Sequence, residues 1–329
     1  MSKEAVLQLL TQADAYVSGE GMSEALGVSR AAVWKSIRAL REAGYEIEAK
    51  TNRGYRLVSA PDTPTKAAVL PLVTSDICRE MIYLDEVDST NSHLKRIAAD
   101  GAPHGTVCIA GTQTEGRGRQ GRGFVSIAGK GLFFSILLRP DAAMTQSITT
   151  LTAFSAVAVC EAITATCPVA PCIKWVNDIL VGDRKLVGIL SEMSMVGESG
   201  QVDYVVIGAG VNVHYQAEDF PEEIREKAIS LDMLTGASIS RVRLAAAMVD
   251  AFANMYKNCH THADRYVDRY RELSATVGRE IRVIRGGVAR TATATGITSD
   301  CGLIVRYEDE TEETLHYGEV SVRGKHGYV

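Results

Sequence analysis

From Gln113 to Phe124 the chain reads QTEGRGRQGRGF, with four glycines and three arginines between Gly116 and Gly123. Nothing in that run can serve a packed core, yet apolar strand patterns lie on either side of it. It matches G-x-G-x-x-G at Gly116, Gly118 and Gly121, the dinucleotide fingerprint. That fold needs a helix to open at the third glycine, so that its N-terminus faces a pyrophosphate. Here Gly123, Gly129 and Gly131 follow and then a strand pattern; Asp141 is suitably spaced for a ribose contact, but no helix fits between. The doubly wound dinucleotide fold is therefore excluded, and so is a Walker A loop, since nothing matches G-x-x-x-x-G-K-[ST]. What remains is a loop carrying guanidiniums. Glycine lets the backbone approach a ligand closely, and the arginine fork grips phosphate or carboxylate. The stretch predicts a mobile segment, disordered when empty, that closes on an anion and excludes water. An RGG-like nucleic-acid segment fits less well, because such repeats are longer and sit in low-complexity surroundings.

The 329 residues are enough for two or three domains. An apolar content of 46% and a charged content of 23% describe an ordinary globular chain. The opening MSKEAVLQLL lacks the features of a signal peptide. The longest uncharged run, between Asp141 and Glu161, is broken by Thr145, Gln146, Ser147, Thr149, Thr150, Thr152 and Ser155, so it reads as a buried helix and not a membrane span. Seven cysteines without a C-x-x-C suit a reducing cytoplasm, argue against a zinc site and read as small core residues. A net charge of −5 speaks against indiscriminate nucleic-acid binding but permits a local basic patch.

Such a patch is found at the front. Residues 4–12 put Val6, Leu9 and Leu10 on one helical face. A short helix around GEGMSEALG follows, then a turn at Gly27, then a third helix capped by Ser29 and stopped at Gly44. In that helix Val33, Ile37 and Leu40 point inward, while Ala31, Trp34, Lys35 and Arg38 point outward. Small residues and then cations are what a helix needs to enter a major groove. The segment YEIEAKTNRGYRLV alternates, turns at Asn52-Arg53-Gly54 and returns, as a basic-tipped β-hairpin wing would. Seven Lys or Arg stand against three acids between Val28 and Arg56, which favours DNA binding through Ser29, Arg30, Ala31, Trp34, Lys35, Arg38 and Arg53 over a mere docking module. SAPDTPT (59–65) reads as a linker.

A second constellation lies downstream. CIKWVNDILVGDRKLVGILSEM (172–193) predicts a strand, a polar loop at Asn177-Asp178 and a hairpin through Gly182-Asp183. Lys185 leads the return strand; such a lysine snorkels at an edge or, in a site, neutralises a carboxylate or a transferring phosphoryl group. YVVIGAGVNV (204–213) reads as a buried strand carrying Gly208, Gly210 and Asn212, and 277–323 as short strands of a small β-barrel.

Taken together, DSTN (88–91), GRGRQGR (116–122), KWVNDI (174–179), DRKLVGIL (183–190) and GAGVN (208–212) resemble the bifunctional biotin–protein ligase and biotin-operon repressor family, in family order and over nearly the whole chain. The resemblance implies an α+β protein: a winged helix-turn-helix (1–62), a central α/β ligase domain with a mixed, class II synthetase-like sheet (66–273), and an SH3-like barrel (274–329). It implies ATP-dependent formation of biotinyl-5′-AMP and transfer of biotin to a lysine of a biotin carboxyl carrier protein. Biotin and ATP enter as substrates, Mg²⁺ comes with the nucleotide, and no metal is held by the chain itself. Ser89, Thr90, Asn91 and Gln113 are implied at the ureido ring. Arg117, Gly118, Arg119 and Lys185 are implied at the biotin carboxylate, with Arg119 and Lys185 catalytic. Arg117, Arg119, Phe124, Asn177, Asp178 and Asn212 are implied at ATP or the adenylate. Two positions depart from the family pattern: Val176 replaces a usual proline, a change a loop flank tolerates, and Phe124 replaces a common tryptophan, whose stacking a phenyl ring can still supply. A homodimer, formed when the adenylate is bound, on operator DNA is implied as well. The alternatives are a sensing repressor without ligase activity and a lipoate ligase-like acyltransferase.

Overall fold

A computed structural model describes residues 3–13, 15–42, 44–59, 61–140, 150–196, 201–316 and 321–324. The chain forms two compact units, Met1–Thr63 and Pro64–Val329.

In the first unit, helices α1 (Lys3–Gln12), α2 (Gly19–Leu26) and α3 (Arg30–Glu42) precede an antiparallel hairpin of β1 (Glu46–Lys50) and β2 (Gly54–Ser59). Ser18 Oγ accepts from Gly21 N at 2.9 Å and Ser29 Oγ from Ala32 N at 3.2 Å, so orphan amides at both helix starts are satisfied. Gly44, at φ 90°, lies just past the end of α3. The core is Val6, Leu7, Leu10, Met22, Val33, Ile37, Leu40 and Ile47. Leu9, expected inside, lies at the margin and Leu7 takes its place. An apolar sector wider than 100° accommodates either flank, and packing chooses between them.

The second unit is built on a seven-stranded mixed sheet. Its strands are β3 (Glu80–Val87), β4 (Thr106–Gln113), β5 (Gly131–Leu138), β6 (Cys172–Lys174), β7 (Asp178–Val181), β8 (Arg184–Val196) and β9 (Gln201–Asn212), in the order β3-β4-β5-β9-β8-β7-β6. Only β3 and β4 run parallel; every other neighbouring pair in this sheet is antiparallel. Helices α4 (Thr90–Ala99), α5 (Leu151–Thr166), α6 (Arg241–Asn258) and α7 (Ala263–Glu272) complete the layers. Strand alternation sorts the side chains. Leu132, Phe134, Ile136 and Leu138 of β5, with Val205, Ile207, Ala209 and Val211 of β9, join α5 and α6 in the main core. Leu137 and Val206 instead pack with Leu94 and Ala98 of α4. The face carrying α4 therefore also receives Phe133, Ser135, Gly208, Gly210 and Asn212.

The uncharged run forms the buried helix α5, with residues 141–149 of it outside the described part. Among the described residues no helix is long and apolar enough to cross a membrane. All seven cysteines are free thiols, five of them buried; burial pushes the Cys108 thiol up to about 12, so it stays protonated.

Strands β10 (Glu280–Arg285), β11 (Val288–Ile297), β12 (Leu303–Tyr307), β13 (Glu312–Leu315) and β14 (Ser321–Gly324) form an antiparallel sheet in the order β13-β12-β11-β10-β14. Ile281, Val283, Leu303 and Val305 share one core with the large sheet, and Trp175 Nε1 donates to Cys301 O at 3.0 Å. Phe134 and Phe252 stack at 5.6 Å in this core, both fully buried. Phe252→Ala is expected to lower unfolding stability by about 3–5 kcal/mol, checked by urea denaturation followed by near-UV circular dichroism.

Candidate active site

The glycine-arginine stretch folds back on itself and is not an open coil. Arg117 pairs with Gly123 as an isolated antiparallel bridge. Gly118 N donates to Arg122 O at 2.7 Å and Phe124 N to Gly116 O at 2.9 Å. A single 3₁₀ turn at Arg119–Gly121 reverses the chain. The hairpin overhangs the α4 face of the sheet and bounds two adjoining cavities.

The larger, about 260 Å³, is lined among the described residues by Arg117, Arg119, Arg122, Lys174, Lys185 and Lys227 against one carboxylate, Asp178. Trp175, Asn177, Asn212, Phe124 and Phe220 complete much of the rest. Six cations around one acid make a site for a polyanion. Lys185 Nζ meets Asp178 Oδ1 at 2.6 Å. Arg119 donates to Asn177 Oδ1 at 3.2 Å, and Asn177 Nδ2 is held by Ile189 O at 2.7 Å. Asn212 Nδ2 donates to Ile229 O at 3.1 Å and braces the backbone beside the cavity. Val176, expected in a tolerant loop flank, is buried, and its carbonyl accepts from Tyr270 Oη at 3.2 Å.

The smaller cavity, about 30 Å³, is a hydrogen-bonding cradle lined by Ser89, Thr90, Asn91, Gln113 and Arg117 with Phe124, Phe133 and the glycines of β8 and β9. Thr90 N donates to Gln113 Oε1 at 2.9 Å. Asn91 spends its whole amide on the protein: Nδ2 donates to Leu190 O (3.1 Å) and Glu192 Oε2 (2.9 Å), and Oδ1 accepts from Ser135 Oγ (2.7 Å). Burial would raise the Glu192 carboxyl, but hydrogen bonds from Lys95 and Asn91 outweigh it and hold it below the ordinary value.

Two glycines are required by close approach. A Cβ on Gly208 would lie 2.2 Å from Asn91 Oδ1, and one on Gly210 would lie 2.6 Å from the Phe124 ring. Phe124 thus packs on Gly210 of β9 and Gly188 of β8, edge-on to Phe133 at 6.4 Å, and lines both cavities.

In the first unit the expected DNA-facing residues Ser29, Arg30, Ala31, Trp34, Lys35, Arg38 and Arg53 are all exposed. Ser29 also caps α3, Arg30 meets Glu20 at 3.5 Å and Arg38 meets Glu42 at 2.9 Å.

Sequence reasoning missed Lys174, Trp175, Arg122, Ser135 and Glu192. A lysine inside the apolar run CIKWV was a usable signal for Lys174, which is 2% exposed. Ser135 and Glu192 gave none, because only tertiary packing brings them to Asn91.

The chain matches three family models: an HTH domain over residues 3–56, the biotin/lipoate A/B protein ligase family over 83–212, and the biotin protein ligase C-terminal domain over 276–323. It is 39% identical over 259 residues to the bifunctional ligase/repressor BirA of Bacillus subtilis, covering 78% of this chain and 79% of that protein. The chain belongs to the bifunctional biotin–protein ligase/repressor family. The family member of Escherichia coli is 27% identical over 93% of this chain and 92% of its own length. A solved biotin protein ligase of Aquifex aeolicus, in complex with biotin and ATP, superposes with a TM-score of 0.64 at 27% identity, covering 75% of this chain and 99% of that one.

Beside the cradle, Arg96 grips Asp88 through two nitrogens at 2.6 and 2.9 Å. That contact, helped by the Ser89 amide, holds the Asp88 carboxyl at about 2. A depressed carboxylate stabilises the fold above its unfolded range near 4 and loses that contribution as pH falls through about 2. Arg96→Met is expected to return the Asp88 titration toward the ordinary carboxylate range, read by carbon-13 carboxyl NMR.

Proposed function

We propose that this protein is an ATP-dependent biotin–carrier-protein ligase and biotin-responsive repressor. The observation that carries the ligase reading is the junction of the two cavities. A small cradle of neutral hydrogen-bonding groups opens into a cationic chamber, and Arg117, Phe124, Gly188 and Leu190 line both. A ligand with a compact polar ring at one end and a carboxylate meeting a nucleotide at the other fits that polarity.

In this reading Ser89, Thr90 and Gln113 hold the ureido ring, with Asn91 bracing them. Arg117, Gly118, Arg119 and Lys185 take the carboxylate. Phe124, Asn177, Asp178 and Asn212 serve ATP. The first step brings two anions together: a carboxylate oxygen of biotin attacks the α-phosphorus and pyrophosphate leaves. Arg119 and Lys185 offset the charge that accumulates there. Lys185 exchanges Asp178 for the incoming anion, a swap of one ionic partner for another. The neutral amine of a carrier lysine then attacks the acyl carbon of the mixed anhydride, AMP departs, and the proton lost by the amine passes to solvent. Mg²⁺ would arrive with the nucleotide and offset phosphate charge, and Asp178, a carboxylate lining the same cavity, would be the side chain able to hold it there.

The division into 1–62, 66–273 and 274–329 is retained as the functional partition, and a reducing cytoplasm as its compartment. Adenylate-dependent homodimerisation would set two α3 helices on a roughly palindromic operator. Sedimentation with and without biotin plus ATP is expected to show a doubled mass only with both; an unchanged mass at micromolar protein would remove this part.

Lys185→Ala and Arg119→Ala are each expected to reduce biotin-dependent pyrophosphate release about 100-fold or more. Wild-type release from both variants would overturn the assignment. Incubation of the native protein with biotin, ATP and a carrier domain, followed by a streptavidin blot, tests the ligase reading itself.

A further inference from the structure

Helix α3 carries a feature that DNA binding in general does not require. Its exposed stripe runs Ala31, Trp34, Lys35, Arg38, at the i, i+3, i+4, i+7 spacing of one face. Trp34 is 55% exposed, although Val33, Ile37 and Leu40 on the opposite face are buried. The chain has only two tryptophans, and the other, Trp175, is 5% exposed in the second unit. That leaves a large apolar ring exposed beside cations on the face of α3. The Arg38 guanidinium lies 6.0 Å from the indole centroid and is itself tied to Glu42 at 2.9 Å.

The cations around it identify the kind of surface it meets. Lys35, Arg38 and Arg53 are complementary to a polyanion, and Trp34 stands in the N-terminal half of α3, the part of such a helix that reaches base edges. A major groove presents polar edges almost everywhere; its one apolar group is the C5-methyl of thymine. We propose that Trp34 reads thymine methyl groups in each operator half-site and so sets its sequence preference, while Lys35 and Arg38 hold the backbone and polar edges. This inference rests on the DNA-binding reading above and adds to it the base that is read.

The test uses the full chain with biotin and ATP. A duplex is selected from a random pool, then resynthesised with deoxyuridine replacing thymine one position at a time, which removes the methyl and leaves the base pairing intact. Fluorescence anisotropy is expected to show about a fourfold loss of affinity per contacted methyl, equivalent to about 0.8 kcal/mol each, at one or two positions in each half-site. Trp34→Ala is expected to bind the thymine and uracil duplexes equally, and Trp34→Phe to keep the discrimination; far-UV circular dichroism confirms that both variants fold. Wild-type protein that selects a duplex but ignores every methyl would overturn the inference alone. So would Trp34→Ala that still discriminates, or that loses self-association while keeping its thymine preference, since the ring would then be a protein contact. Wild-type protein that selects no duplex would overturn the DNA-binding reading and this inference with it.

Discussion

The candidate active site depends on keeping several cations around one small volume. Two like charges about 4 Å apart repel by about 1 kcal/mol in water and about 4 kcal/mol near a protein surface. Six cationic groups share the large cavity. Asp178 relieves part of that repulsion by taking Lys185 at 2.6 Å, and Asn177 by accepting from Arg119 at 3.2 Å. These are exchangeable partners: each occupies a cation that an incoming phosphate or carboxylate would engage more strongly, because two anionic groups bring more charge than one carboxylate or one neutral amide. The cavity thus has two of its cations partnered and still keeps an excess of positive charge.

The cations can converge only because the strands beneath them are bare. Toward its end β9 presents Gly208, Gly210 and Asn212 on the site face, and in β8 Gly188 serves the same end. The Phe124 ring occupies the volume a Cβ of Gly210 would need, and Asn91 Oδ1 the volume a Cβ of Gly208 would need. Strand alternation makes this affordable to the fold, since the opposite faces of the same strands carry Val205, Ile207, Ala209 and Val211 into the main core. One sheet face supplies the hydrophobic stabilisation while the other is given over to close approach.

Much of this was legible in the sequence, and for a stateable reason. Helix α3, the hairpin after it, the Gly182-Asp183 turn and the apolar strands announce themselves through caps, periodicity and turn residues, which are local signals. The charged residues that line the large cavity were conspicuous by chemistry: an arginine among glycines or a lysine at a strand mouth stands out wherever it packs. What escaped was set by packing. The choice of Leu7 over Leu9 in α1 depends on which flank of an apolar sector meets its neighbours. The burial of Val176 depends on Tyr270, ninety-four residues away along the chain. Lys174 lay between the two cases, polar enough to notice but read as part of a strand.

Asn91 shows how a local reading and a tertiary one combine. By position it belongs to the cradle. By contacts it is a strut, with one end on Ser135 of β5 and the other on Leu190 and Glu192 of β8. A carboxylate and a carbonyl both demand its amide nitrogen, so its oxygen must face Ser135, and that hydroxyl, with one proton to give, has both Asn91 Oδ1 and Thr90 Oγ1 at 2.7 Å. Sharing a single proton between two acceptors leaves Thr90 able to accept a hydrogen bond from a ligand N–H, while its own proton is directed to Gln113 at 3.2 Å. The polarity of the cradle is therefore set from behind by β5 and β8, and the residues that set it, Ser135 and Glu192, need never touch what the cradle holds.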